Sequence, residues 1–331
     1  TLRGFPSQQR TLIMMDGIPL NDSYTGAVQF GGLAAGNVER IEVVKGPFSS
    51  LYGGNAMGGA VNIITRIPEN REILMSGGFG SGLGSRQAMN DMTRAYFSYG
   101  ETFKGKLGIL LSYGQNRTNG FANDWNSQSA QPPAGIAGYR ETTDTQGSKR
   151  FVLGDRGDNT WNDHDFSFKA TYRITDTSRL GFFFITSAYK YETDSPHSFL
   201  RDSAGDPVFS YTSGKTTVRE STFLSGAGSK RQDIYSVSFD TKIGRAQMIS
   251  GVSFLDTHNN WYTTPGSTSA TTAKGGPGTV AETPVRKATG SVQFIFPLYG
   301  RHLLTVGGDV TGSSAHTREY GLTNWRDENS R

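Results

Sequence analysis

Between Asp165 and Ile174 the chain alternates polar and apolar residues without a break. Phe166, Phe168, Ala170, Tyr172 and Ile174 fall on one side, and Asp165, Ser167, Lys169, Thr171 and Arg173 on the other. Successive side chains of an extended strand point to opposite faces, so this period builds a sheet with one apolar and one polar face. The pattern recurs from Tyr235 to Ile243 and from Lys287 to Phe296. Nine such strands are predicted, over about 73–81, 93–101, 106–116, 163–174, 179–191, 233–243, 246–258, 286–296 and 302–313. Soluble strands average about 5–6 residues, whereas a tilted membrane strand needs about 9–11. Most of these segments have the longer length.

The connections sort by length. Thr102–Gly105, Thr175–Ser178, Gly244–Arg245 and Pro297–Arg301 are tight, whereas 117–162, 192–232 and 259–285 are long and polar. Short and long connections alternate, apart from a modest first loop near 82–92. Outer-membrane barrels have short periplasmic turns and long extracellular loops, and a soluble sandwich has no reason to sort its loops by side. Phe103, Phe182, Phe296 and Tyr299 lie by the short turns, and Tyr113, Tyr189, Tyr191 and Tyr235 nearer the long loops. This two-level arrangement is expected to form aromatic girdles at the membrane boundaries.

Composition agrees with a wall that is apolar on one side only. Hydrophobic residues make up 35% of the 331, below the usual share for a soluble domain, yet 20 Phe, 14 Tyr and 4 Trp argue against disorder. No apolar run approaches the roughly 20 residues of a spanning helix. The absence of cysteine excludes a disulfide scaffold and a cysteine metal site. A net charge of +4 without a basic block gives no electrostatic footprint for nucleic acid.

The first 67 residues read differently, with short, closely punctuated strands. Leu2-Arg3-Gly4-Phe5 is followed by Arg10 to Asp22, RTLIMMDGIPLND, in which Asp16-Gly17 signals a hairpin. Val38 to Arg66 then carries a strand, a Gly-Pro turn, a predicted helical turn, a glycine-rich bend and a second strand. Gly53, Gly54, Gly58 and Gly59 are not a phosphate loop, because no Lys-Ser/Thr follows them. They read as a structural bend.

These three motifs, in this order, resemble the plug domain of TonB-dependent outer-membrane receptors. The likeness is close over about the first 67 residues, and the barrel matches by pattern. The implied fold is all-β and transmembrane: an antiparallel outer-membrane β-barrel, here about nine strands of a larger barrel of about 22, with a small α+β plug inside. Residues 1–67 are expected to be the C-terminal part of the plug, and 68–331 the N-terminal part of the barrel. The chain is expected to belong to a longer protein in the bacterial outer membrane.

The resemblance implies TonB-dependent active transport of a scarce, large substrate: a ferric siderophore, haem or cobalamin, with an iron complex favoured. Implied partners are the TonB energy-transducing complex, acting through a segment upstream of Thr1, outer-membrane lipid and lipopolysaccharide, and a small-molecule metal chelate. No resident cofactor is implied. Basic residues at the positions of Arg3 and Lys45 are expected to lock the plug to wall glutamates in later strands, beyond Arg331. Lys lacks the planar two-pronged contact of Arg, so the Lys45 lock is expected to be looser. The polar apex after the hairpin is expected to meet the ligand through Tyr24 first, then Asp22, Asn21 and Phe30, since an aromatic beside hydrogen-bonding groups suits an amphipathic chelate.

Other readings have less behind them. His164, His197, His258, His302 and His316 show no metal-ligand spacing, and Arg156-Gly157-Asp158 reads as a charged turn. No catalytic constellation assembles, so the chain is not expected to be an enzyme. A passive porin or adhesin barrel shares the strand pattern but lacks the Val38–Arg66 motif. A receptor that also signals needs a further domain.

Overall fold

The computed structural model describes residues 10–28, 34–46, 55–81, 91–299 and 302–331. Its first sheet contains β1 (Thr11–Met15), β2 (Ile18–Pro19), β3 (Val38–Lys45) and β4 (Gly59–Thr65), in the order β2-β1-β4-β3. β1 and β2 form a hairpin whose turn residues Asp16 and Gly17 both have positive φ, +50° and +82°. Two such residues define the turn whose twist suits paired strands, and Asp-Gly tolerates it. β1 pairs in parallel with β4, and β4 antiparallel with β3. All five β1 residues are buried, as a strand covered on both faces requires. The predicted helical turn falls in 47–54, outside the described residues.

The remainder forms the wall. In chain order it contains β5 (Glu72–Gly80), β6 (Met92–Phe103), β7 (Leu107–Thr118), β8 (Trp125–Gln128), β9 (Arg140–Thr143), β10 (Lys149–Asp155), β11 (Asp158–Thr175), β12 (Ser178–Asp194) and β13 (His197–Ser198). There follow β14 (Tyr211–Ser213), β15 (Thr216–Val218), β16 (Gly228–Ile243), β17 (Ala246–Pro265), β18 (Gly278–Glu282), β19 (Val285–Pro297), β20 (Leu303–Ala315) and β21 (Arg318–Leu322). The membrane wall is the path β5-β6-β7-β11-β12-β16-β17-β19-β20, antiparallel throughout. These are the nine predicted strands. β11, β16 and β17 run several residues further toward the long loops than alternation indicated. There the β17 extension pairs with β18 and buries Trp261 against Val280 and Leu322, so the ladder continues on loop contacts without an alternating apolar face to mark it.

The wall is polar inside and apolar outside. Tyr172, Val237, Val252 and Phe254 are exposed on the outer face, while Ser112, Asp165 and Ser167 are buried on the inner one. The inner face is not polar throughout, however. Phe183, Ile185, Ile234 and Leu255 pack with Ile13, Met15, Ile18, Leu20, Val28 and Ile63 of the first sheet into one core. That core binds the small sheet to the wall, as a plug is bound to its barrel.

The long loops are folded. β10 pairs with β8 and β9 of its own loop and with β13 of the next. Phe151 and Leu153 from one loop and Leu200, Val218 and Phe223 from the other make a separate core. Polar composition concealed these five residues, because they are spread over more than 70 positions.

Candidate functional site

Past the hairpin, the plug chain turns at Asn21–Gly26 beneath the long-loop end of the wall. Asn21 is fully buried. Its Oδ1 accepts the Ile13 N–H at 2.9 Å, and its Nδ2 donates to the carbonyls of Thr11 at 3.1 Å and Gly26 at 3.0 Å. Asp22 Oδ1 accepts the N–H groups of Tyr24 and Thr25, each at 2.9 Å, an aspartate turn that fixes the local backbone. Its Oδ2 faces Lys230 Nζ at 3.4 Å. Burial pushes the Asp22 carboxyl up, but the Thr25 N–H, the Lys230 ammonium and the Tyr24 N–H outweigh it and hold the group below its usual 3.8. Tyr24, at 58% exposure, stands out from this turn.

The four apex residues therefore separate. Tyr24 is presented to solvent. Asn21 and Asp22 are buried and occupied in shaping the turn, so neither offers a free face to a ligand as the sequence reading expected. Phe30 lies outside the described residues.

The wall supplies what the sequence reading did not find. Trp161 stacks on Tyr189 with centroids 4.5 Å apart and planes 13° from parallel, and Tyr191 lies 6.2 Å from Trp161. Trp161 Nε1 donates to Asp163 Oδ1 at 2.9 Å. Tyr189 lies in register with Lys230, the lysine that faces Asp22. Tyr191 lies over Gly228, where a Cβ would come within 2.5 Å of its ring. Tyr189 and Tyr191 were expected in an outward girdle, and the structure corrects this. They share the inward parity of Phe183, Ile185 and Ser187, so they line the space above the plug. The signal was available, because the polar face Asp165, Ser167, Lys169 continues upward through Asp163 to Trp161.

Wall lysines hold the plug. At the long-loop end, Lys230 meets Asp22, and Lys287 Nζ donates to the Asn21 carbonyl at 3.3 Å. Midway, Asn37 Nδ2 donates to Ser112 Oγ at 2.7 Å, and Asn37 Oδ1 accepts the Tyr96 hydroxyl at 2.6 Å. Toward the short turns, Lys169 Nζ lies 3.0 Å from Asp16 Oδ2 and donates to Thr65 O and Oγ1 at 2.8 and 2.7 Å. These contacts are distinct from the expected lock, which joins plug cations to carboxylates of strands beyond Arg331. Arg3 lies outside the described residues. Lys45 is exposed and forms no ion pair among them. No group of three His, Cys, Asp or Glu side chains able to hold a metal gathers among the described residues.

A lipid-facing antiparallel wall filled by a small separate sheet defines an outer-membrane barrel with an internal plug. Comparison with known proteins narrows the class. The family described as TonB-dependent Receptor Plug Domain matches residues 1–60. The Vitamin B12 transporter BtuB of Vibrio vulnificus (strain CMCP6) is 35% identical over 120 residues, covering 36% of this chain and 18% of that protein. The Rhizobactin receptor of Rhizobium meliloti (strain 1021) is 34% identical over 125 residues, covering 36% of this chain and 16% of that protein. Among solved structures, the unliganded ferric citrate transporter FecA superposes with a TM-score of 0.63 at 14% identity, over 95% of this chain and 40% of that one. The chain thus spans well under half the length of the proteins it matches. Residues 1–60 are thus plug-domain sequence of the TonB-dependent receptor type, and the residues that follow have the fold of a bacterial outer-membrane barrel wall.

Proposed function

We propose that the protein takes up a scarce, large chelate, an iron complex in preference to haem or cobalamin, across the outer membrane at the expense of TonB-transmitted work. One observation supports this above the rest. Exposed Tyr24 rides on a turn whose Asp22 is tied to wall Lys230, beneath the inward Trp161–Tyr189–Tyr191 stack. A flat, partly aromatic or chelating ligand entering from the loop side meets Tyr24 and the stack together. It thereby touches the plug at a point fastened to the wall, so occupancy can bias the plug's attachment. The relatives named above are transporters and receptors, and the described residues suggest binding and passage rather than bond chemistry.

The test uses the full-length receptor in detergent, titrated in parallel with ferric siderophores, haem and cobalamin, alongside uptake in cells with and without the proton-motive force. Saturable binding of one class, with uptake abolished by collapsing the force, is expected. Failure of every class to bind, with uptake persisting after collapse, refutes the proposal and returns the barrel to passive permeation.

A further inference from the structure

The strand register lays the inner face of the wall out in rows. One row runs Arg94, Asn116, Asp163, Tyr189, Lys230, and the row below it runs Tyr96, Gly114, Asp165, Ser187, Gln232. Asp163 and Asp165 thus follow one another on the same face of β11, about 7 Å apart at about 3.4 Å per residue. Both are buried, at 5% and 2% exposure, and neither forms an ion pair among the described residues. Asp163 has donors nonetheless: Trp161 Nε1 donates to its Oδ1 and Asn116 Nδ2 to its Oδ2, each at 2.9 Å. Asp165 differs, because its Oδ2 is buried and accepts no hydrogen bond.

The surroundings are shaped to that carboxylate. A Cβ on Gly114 would lie 2.6 Å from Asp165 Oδ1 and 3.3 Å from Oδ2, and Gly114 has no φ that would itself demand glycine. The glycine is there to give the acid its place. On the other side stands Ser187, its register partner on β12, which is 8% exposed. The Ser187 hydroxyl bonds neither Asp165 nor any other described residue. Tyr96, beyond Gly114, turns its hydroxyl to Asn37. The inward lysines of this region are committed to the plug, Lys169 to Asp16 and Lys230 to Asp22. Two carboxylates are left to share the single charge of Arg94. A buried carboxylate without compensation costs several kcal/mol. A water bridging the acid and the hydroxyl supplies hydrogen bonds but no charge.

We propose that Asp165 and Ser187 bind a sodium ion on the inner face of the wall. The balance of charge calls for one positive unit, which a monovalent cation supplies. Carboxylate and hydroxyl oxygens, with no nitrogen or sulfur among them, suit a hard cation. The site lies one row beneath the Asp163 contact that orients Trp161. The bound ion therefore relieves the repulsion between the two acids and steadies the floor of the cavity above the plug. The proposal needs the wall alone and is independent of what the receptor transports.

The test is thermal unfolding of the full-length receptor in detergent, read by heat-modifiable migration, with sodium chloride exchanged for N-methylglucamine chloride at constant ionic strength. A ligand of the folded state raises the midpoint as its concentration rises. The wild-type midpoint is expected to climb by several degrees and to saturate with sodium. Asp165→Asn keeps the shape and removes the charge, and its midpoint is expected to be indifferent to sodium. Ser187→Ala leaves the charge of the wall alone and serves if the first variant does not insert. It is expected to raise the half-saturating sodium concentration several-fold. A wild-type midpoint indifferent to sodium, or a sodium response unchanged in Asp165→Asn or in Ser187→Ala, overturns the proposal. Saturation by calcium chloride at a far lower concentration than sodium overturns it as well, because the ion would then be divalent.

Discussion

Replacing Lys169 by Met should loosen the plug at its lower attachment. The ammonium is 3.0 Å from Asp16 Oδ2 and holds both oxygens of Thr65, and the charged partners are only 16% and 19% exposed. Deleting one member of a buried pair costs about 3–5 kcal/mol, because the other charge is left uncompensated. Some water reaches this pair, which places the loss near the lower end, about 3 kcal/mol. At about 1.4 kcal/mol per tenfold, local opening of the plug should become on the order of 100-fold more frequent. The chain has no cysteine, so Ala60→Cys, at a position 2% exposed, gives a single internal reporter within it. Thiol labelling of that cysteine in the full-length receptor should accelerate accordingly in Lys169→Met. Adding Asp16→Asn should restore part of the protection, since the stranded charge is then removed. Labelling within twofold of the parent would show that this contact does not fasten the plug, and the lock would have to be sought elsewhere.

Three further outcomes are expected. Tyr24→Ala and Trp161→Ala should each weaken substrate binding several-fold in equilibrium titration while heat-modifiable migration of the barrel is unchanged; unaltered affinity removes that residue from the site. Asn21→Ala strands the Ile13 N–H and the Thr11 and Gly26 carbonyls, and should destabilise the plug by about 3 kcal/mol in denaturant titration. The Asp22 carboxyl is held below 3.8 when folded, so its contribution is fully present above that value and is lost as pH falls through the folded one. Proteolysis of the Asp22–Thr25 turn should therefore rise below about pH 4, and Asp22→Asn should flatten that rise.

The wall was legible because a membrane imposes its demand on every second residue. Phe166, Phe168 and Tyr172 must satisfy lipid, and Asp165 and Ser167 must satisfy the interior. Nearness to a strand end, not that regularity, placed Tyr189 and Tyr191 in a girdle, since an aromatic there suits a girdle or a cavity equally well until its parity is counted. Lys169 was counted on the correct face, but nothing local distinguishes an inner-wall lysine facing Asp16 from one facing water; that pairing joins positions 153 residues apart (169 − 16). Asn21 looked like a ligand donor because a polar residue at an apex usually is one. Its three hydrogen bonds close the turn instead. The loop core of Phe151, Leu153, Leu200, Val218 and Phe223 has no periodicity to announce it, and appears only when two loops fold together.

That shared core ties the surface loops to one another. β10 belongs to one loop and pairs with β13 of another, Glu220 accepts the Ala273 N–H at 2.8 Å, and Arg326 reaches Asp194 at 2.9 Å and the Ala273 carbonyl at 2.6 Å. The external face is thus a mosaic whose tiles hold one another in place. A synthetic peptide copied from any single loop lacks half of its own supports and should be a poor immunogen for the living cell. Grafting one loop onto another receptor without its neighbours should transfer letters of the sequence but not its shape.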